Sequence, residues 1–593
     1  MRLKMVRHLR ITKSLVGCQS RWKSLNKKIL TNILERTFLM AKGRGFLHQA
    51  FRTIWTDNRK WDVVVENNGE TMIRSPYKDV PEINQSFGEF MFSYLGKFSK
   101  LELLVDYPTG RHYTGSKVKD CAVKVASALS RMGLQKGDVV LIFASNCPEY
   151  PILFLACGVA GIAVSTANPV YTPGELARQL AHSEARAVFT LKAMLPTVKE
   201  ALSGNQEAAE RVKHIIVIDG EADKCRPFSS LLDDDGQMFP ENTDIDTRGT
   251  ILTLPYSSGT TGLPKGVMLS HFNMVNNLQQ AMCGQMKFHT GEDILMGLLP
   301  FYHIYGLTVL QFSPLTQGTK LIIHPKFEPE TFLKSIEEHK VTYCHLVPPL
   351  VLFLAKSRDL GRFNLTSIRQ FVSGGAPLGA GVSSDLEKAL GVPVLQAYGL
   401  TESSPITHYD EKPHRQGTIG RLIPNTRAMV MDPISGANLP VGETGEILIK
   451  GPQIMMGYLK NKEATDKTVR DGWLYTGDIG HVDADGYFTI SDRLKELIKY
   501  KGYQVAPAEL EALLCTHPAI QDAAVIGLSV GEGVGEVPKA FVVAKPGHNI
   551  SMEEVLNFVE KNVAPYKKLR GGVEFIDQIP KTASGKILRR MLR

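Results

Sequence analysis

Residues Tyr256 to Gly266 read YSSGTTGLPKG, a stretch that packs hydroxyls, glycines and one lysine into a loop with almost no side-chain bulk. Ser257, Ser258, Thr260 and Thr261 are hydroxyl donors, Gly259 and Gly262 let backbone N–H groups approach a ligand closely, and Lys265 adds fixed positive charge. Such a loop is suited to phosphate. It is not the loop of P-loop NTPases, where Gly-Lys is followed by Ser or Thr; here Gly262 is followed by Leu263, Pro264, Lys265 and Gly266. A polar surface turn is the plainer reading of a short Ser/Gly/Thr run. The length of this one, and the segments downstream of it, argue for phosphate.

Those segments occur in a fixed order: LPFYHIYG from Leu299, SGGAPL from Ser373, QAYGLTE from Gln396, YTGD from Tyr475, DRLKELIKYKGYQVAPAELE from Asp492 and PKTASGKILR from Pro580. Together with the phosphate loop they resemble the signature set of the adenylate-forming enzymes. That superfamily includes acyl-CoA synthetases, 4-coumarate:CoA ligases, beetle luciferases and the adenylation domains of peptide synthetases. The resemblance runs from about Lys60 to the C-terminus, and its last two segments are nearest the 4-coumarate ligase and luciferase branch.

The resemblance implies an ATP- and magnesium-dependent ligation of a carboxylic acid to coenzyme A through an acyl-adenylate, with release of pyrophosphate and then AMP. A free carboxylate is resonance-stabilised and a poor acyl donor; the mixed anhydride with AMP solves this. The acid is already ionised near neutral pH and needs no general base. The enzyme must supply charge neutralisation and alignment while two anions are brought together. By resemblance, Ser257 to Lys265 hold the β- and γ-phosphates, Thr401 contacts the α-phosphate, and Glu402 is the magnesium ligand. Asp478 accepts from the ribose hydroxyls and Arg493 makes a second ribose or phosphate contact. Gly375, Ala376 and Pro377 wall one adenine face, Tyr398 stacks on the other, and Gln396 and Gly399 flank it. Lys586 is the catalytic lysine bridging carboxylate and α-phosphate, and Lys495 is the hinge of a C-terminal lid. Lys499 and Gln504 lie on the lid near AMP, and Lys501 and Gly502 approach the CoA pantetheine. His303 and Tyr305 gate the acyl pocket, which also uses Ile304, Ser373, Gly374 and Pro405, and His303 is counted with Lys586 and Thr401 among the catalytic residues. No residue is identified as base for the CoA thiol.

These loops need a frame. ILTLPY before the phosphate loop, HIIVID from His214, KLIIH from Lys320 and VTYCHLV from Val341 read as buried strands, with TFLKSIEEHK from Thr331 as the helix before the last. The alternation indicates an α/β protein of parallel sheets covered by helices. After Asp492 the pattern changes to a helix from Ala508, strands from Asp522 and Lys539, and a capping box at Ser551 opening a further helix. The expected organisation is a basic extension over 1–59, an AMP-binding domain over 60–492 and a small α+β lid over 493–593, joined near Lys495.

At 593 residues more than one domain is expected. The net charge of +9 is misleading as a whole: residues 1–60 hold 15 Lys/Arg against Glu35 and Asp57, or +13, leaving −4 for the rest. A nucleic-acid partner is therefore not expected, and neither is an obligatory protein partner. An acid-free N-terminus with Arg2, Arg7, Arg10 and Arg21 set among apolar residues fits a mitochondrial transit peptide. A basic tail or peripheral membrane contact in a cytoplasmic or peroxisomal protein is the alternative, although the C-terminus is not of the S-K-L type. Pro151 to Val164, the longest apolar run, is too short to span a bilayer and reads as a core helix. The eight cysteines show no paired spacing and read as reduced thiols. Gly527 to Gly531 satisfies G-x-S-x-G but lacks the strand-turn-helix context of a nucleophile elbow. A luciferase-like oxygenase and a carrier-loading enzyme share the adenylation motifs and differ in how the adenylate is used; a non-enzymatic scaffold has no need for Lys265, Glu402, Asp478 and Lys586 together.

Overall fold

The computed structural model describes residues 71–592 apart from 242, 258–263, 285, 501–502, 531–534 and 583–584, together with the backbone of strand Val63–Val65. The basic extension, most of the phosphate loop and the CoA-loop residues Lys501 and Gly502 lie outside the described residues. Trp61–Arg593 form one compact unit.

Eleven elements position the site. They are strands β1 (Ile251–Ser257) and β2 (Lys265–Ser270), the π-helix α1 (Tyr305–Phe312), strand β3 (Tyr343–Leu346), helix α2 (Pro348–Lys356), strands β4 (Gln370–Ser373), β5 (Val394–Gly399), β6 (Trp473–Val482) and β7 (Phe488–Arg493), helix α3 (Pro507–Cys515) and strand β8 (Ile520–Ser529). β1 lies parallel to Ala163–Thr166 and antiparallel to β2 in an eight-stranded sheet. The pairing Ser257↔Lys265 makes the phosphate loop the connection of a hairpin. β3, β4 and β5 run parallel in a nine-stranded sheet, with the strand Ile294–Gly297 beside β3. Their carboxyl ends stop together, and ligands of open α/β sheets bind there. β6 and β7 belong to a third, seven-stranded sheet in which Asp478 is paired with Arg493.

The apolar run from Pro151 is not one helix: Glu149–Ala160 is helical, Gly161 turns the chain at φ 68°, and Ala163–Thr166 is a strand. Two short elements, each buried on all sides, carry no amphipathic pattern that would separate them. Residues beyond Leu494 gather their own core from Leu510, Leu514, Val525, Val542 and Val559. The expected capping box is present, with Glu554 N–H donating to Ser551 Oγ and Ser551 N–H to Glu554 Oε2. None of the seven cysteines outside Cys18 is in a disulfide. Among the described residues no helix is long and apolar enough to cross a membrane.

Candidate active site

The carboxyl ends of β3 to β5, the mouth of the β1–β2 hairpin and the segment after β7 enclose a cavity of about 680 Å³. Ser257 and Lys265 line it from the hairpin, Thr401 and Glu402 from the turn after β5, and Arg493 and Lys495 from the segment leaving β7. Lys586, nearly a hundred residues further along the chain, reaches the same cavity.

Each member is held for a local reason. Glu402 Oε1 accepts from Ser257 Oγ at 3.2 Å and Tyr458 OH at 2.8 Å, and the Lys265 ammonium sits 4.8 Å above the Tyr458 ring. Asp478, 3% exposed, accepts from Tyr398 OH at 2.5 Å on one oxygen and from Arg493 Nε at 3.1 Å on the other. Asp478 thereby raises the Arg493 guanidinium above its ordinary value. Lys586 sits at the end of a tight turn in which its N–H donates to Thr582 Oγ1 and the Thr582 N–H to its carbonyl. Burial, reinforced by Arg493, pulls its ammonium down to about 8. Lys495 is lowered by burial and then by Lys265. Several cations therefore share a wall with few carboxylates, an arrangement that a polyanion would relieve.

His303, Ile304, Tyr305, Gly374 and Pro405 also line the cavity. His303 accepts from Tyr305 N–H at 3.2 Å, and burial lowers it to about 4, so the ring is neutral at physiological pH. Tyr305 opens the π-helix, a form rare in proteins and frequent at functional sites. Gly306 follows because a Cβ there would stand 2.0 Å from the Pro300 carbonyl oxygen.

Gly375, Tyr398 and Gly399 also line the cavity. Several expected contacts do not. Ser373 and Gln396 are buried but absent from the lining, where their neighbours Gly374 and Ala397 appear instead, because successive strand residues face opposite sides. A register shift between Tyr398 and Gly399 then brings both of these to the cavity. Ala376 and Pro377 lie in the turn beyond β4 and do not reach the lining, and Asp478 stands behind it, bonded to two residues that do. Lys499 and Gln504 are paired on the exposed face of a two-stranded ribbon and are absent from the lining. Ser258, Gly259, Thr260, Thr261, Gly262, Lys501 and Gly502 are outside the described residues.

Sequence reasoning missed His345, Glu446, Lys467 and Arg470, all in the lining. His345 is pushed down to about 3 by burial; one ring nitrogen meets Tyr305 OH at 3.1 Å and the other has no partner among the described residues. Its strand, YCHL, reads as core, and nothing in the spacing distinguishes this histidine. Lys467 and Arg470 look like ordinary surface charges ahead of Asp471-Gly472-Trp473, and both are indeed exposed; only the fold brings them to the border of the cavity.

A magnesium ion fits the donor set in a limited way. Among the described residues no group of three His, Cys, Asp or Glu could enclose a metal. Glu402 and Glu446 are the two carboxylates in the lining, and magnesium is commonly held by one or two carboxylates together with substrate phosphates.

The family model described as AMP-binding enzyme matches residues 96–459, and that described as AMP-binding enzyme C-terminal domain matches residues 509–586. 4-Coumarate–CoA ligase CCL1 of Humulus lupulus is 40% identical over 552 residues, which are 91% of this chain and 98% of that protein. The anthranilate CoA ligase AuaEII, solved with anthranoyl-AMP, superposes with a TM-score of 0.78 at 26% identity over 87% of this chain and 97% of its own. ATP-bound MatB of Rhodopseudomonas palustris gives 0.77 at 28% identity over 86% and 98%. With the fold and both halves of the sequence matched, the chain belongs to the AMP-binding enzyme family and is an ATP-dependent acid–thiol ligase within it.

Proposed function

We propose that this ligase activates a compact, aryl-type carboxylic acid, with 4-coumarate the first candidate from its relatives, and that magnesium accompanies the ATP. Two observations support the choice of acid. The Humulus lupulus relative carries that name, and Ile304, Tyr305, His345, Ile406 and Tyr409 line the cavity with bulky, buried, partly aromatic side chains suited to a compact ring.

The observation that carries the mechanism is Lys586 in the same cavity as Lys265, Thr401 and Glu402. The hairpin loop and Lys265 hold the triphosphate, Thr401 contacts the α-phosphate, and Glu402 would hold magnesium, which when bound would neutralise phosphate charge. Asp478 and Arg493 orient the ribose. The Lys586 ammonium lies between the acid carboxylate and the α-phosphate, offsetting repulsion as the carboxylate oxygen attacks and pyrophosphate departs. For the second step, the unit beyond Lys495 rotates, withdrawing Lys586 and presenting the ribbon that bears Lys499 and Gln504 to the adenylate and CoA. A role in fatty acid metabolism through shorter acids, and a mitochondrial address from the basic N-terminus, form the rest of this proposal.

Acid-dependent ATP–pyrophosphate exchange tests it, run with and without magnesium on cinnamate-type, medium-chain and long-chain acids. Hydroxycinnamates are expected to lead. Preference for a long-chain acid would refute the aryl assignment, and undiminished exchange in chelator would refute the metal role. Lys586→Ala should lower exchange on the order of a hundredfold or more while leaving CoA capture from a supplied acyl-adenylate near wild type.

A further inference from the structure

Helix α3 begins without a cap of its own. Its N-cap residue Ala506 has no side chain to accept a hydrogen bond, and Pro507 has no N–H, so the first free donor is the N–H of Ala508. That donor is taken by Asp492, whose Oδ2 accepts from it at 2.8 Å. Asp492 is 4% exposed and sits on β7, within the large antiparallel sheet and paired with Ile479. Its other oxygen accepts from the Arg493 N–H at 2.7 Å. The bond from Asp492 to Ala508 thus joins an element before Lys495 to one after it.

From α3 the connection continues to the catalytic lysine. Glu511 lies one turn along α3 and grips Arg589 with both oxygens, at 2.7 and 2.9 Å. Arg589 also bonds Glu496, beside Lys495, and donates through Nε to the Val525 carbonyl on β8 at 3.0 Å. Arg589 is three residues beyond Lys586. The orientation of α3 is therefore transmitted to the turn that carries the ammonium, and Asp492 fixes that orientation from the other side of the hinge.

We propose that Asp492 is a positioning residue for adenylation: by capping α3 across the hinge it holds the C-terminal unit in the orientation that places Lys586 in the cavity, and its bond to Ala508 opens when that unit turns for the second half-reaction. Opening returns the Ala508 N–H to water and leaves a buried carboxylate one partner short, so the bond favours one orientation and opposes the other. The proposal rests on the assignment of Lys586 to the first half-reaction.

The test uses the full-length enzyme and both half-reactions, acid-dependent ATP–pyrophosphate exchange and thioester formation from supplied acyl-adenylate and CoA. Asp492→Ala should lower kcat for exchange on the order of tenfold, as expected for loss of a charge-assisted hydrogen bond, with little change in KM for ATP. Thioester formation should be unchanged or faster. Asp492→Asn retains an acceptor and should recover part of the loss. Ala508→Pro removes the same donor from the helix side, at a first-turn position where proline is tolerated, and should reproduce the split; it decides the matter if Asp492→Ala does not fold. Equal losses in both half-reactions, or no loss in either, would overturn the assignment. Absence of exchange in the wild type would sink the adenylation reading as well, whereas an active wild type with no split in the variants sinks only the role of Asp492.

Discussion

Lys586 shows how much of this site depends on one charge in a particular environment. Its ammonium is the useful form, and burial with Arg493 nearby brings it down to about 8, so in the free enzyme that form is lost as pH rises through 8. Binding of two anions favours the charged form again. The value of kcat/KM for adenylation, which reports the free enzyme, is expected to fall above pH 8, whereas kcat should hold to a higher pH. Lys586→Arg, which cannot lose its proton in this range, should remove the fall even if its absolute rate is lower. Matching pH profiles of exchange for the two proteins would show that another group governs it.

At the scale of elements, the turn that carries Lys586 fits against α2 only because residue 585 is glycine. Gly585 has φ 82°, and a Cβ there would stand 2.8 Å from Pro349 Cδ. Gly585→Ala adds left-handed strain of roughly 1–3 kcal/mol and pushes the turn from α2. Adenylation should drop about tenfold or more, and an unimpaired rate would mean that the turn need not sit where it does. The sequence disclosed the contents of such turns better than their placement. Ser257, Lys265, Thr401 and Glu402 were legible because loops that hold phosphate need small residues and charges in order, and the cavity collects all four. Ser373 and Gln396 lie buried beside the lining residues Gly374 and Ala397, a one-residue difference that a motif, which names a segment, does not resolve. The π-helix at Tyr305 was invisible, since an apolar segment buried all round has no periodicity from which to tell 3.6 residues per turn from a wider coil. His345 was hidden in a strand whose other residues are simply core.

Over the whole molecule, net positive charge is confined to the first 60 residues, which share no motif with the catalytic body. Removing residues 1–34 should leave exchange activity intact while shifting the protein away from mitochondria, as fractionation or a fluorescent fusion would reveal; identical distributions would refute the targeting role. The active cavity, by contrast, belongs to no single part of the chain. Its walls come from three sheets and from the C-terminal unit, which has a core of its own. A ligand lodged there touches both sides at once and acts as a reversible crosslink between two bodies joined near Lys495. Such a ligand adds its binding free energy to the contact, by about 2.7 kcal/mol at a hundred times its Kd. A non-hydrolysable acyl-adenylate should accordingly slow proteolysis of the chain around Lys495 and raise Tm, far more than AMP or the acid alone. Equal protection by AMP alone would mean that the nucleotide half of the site already holds the two bodies together.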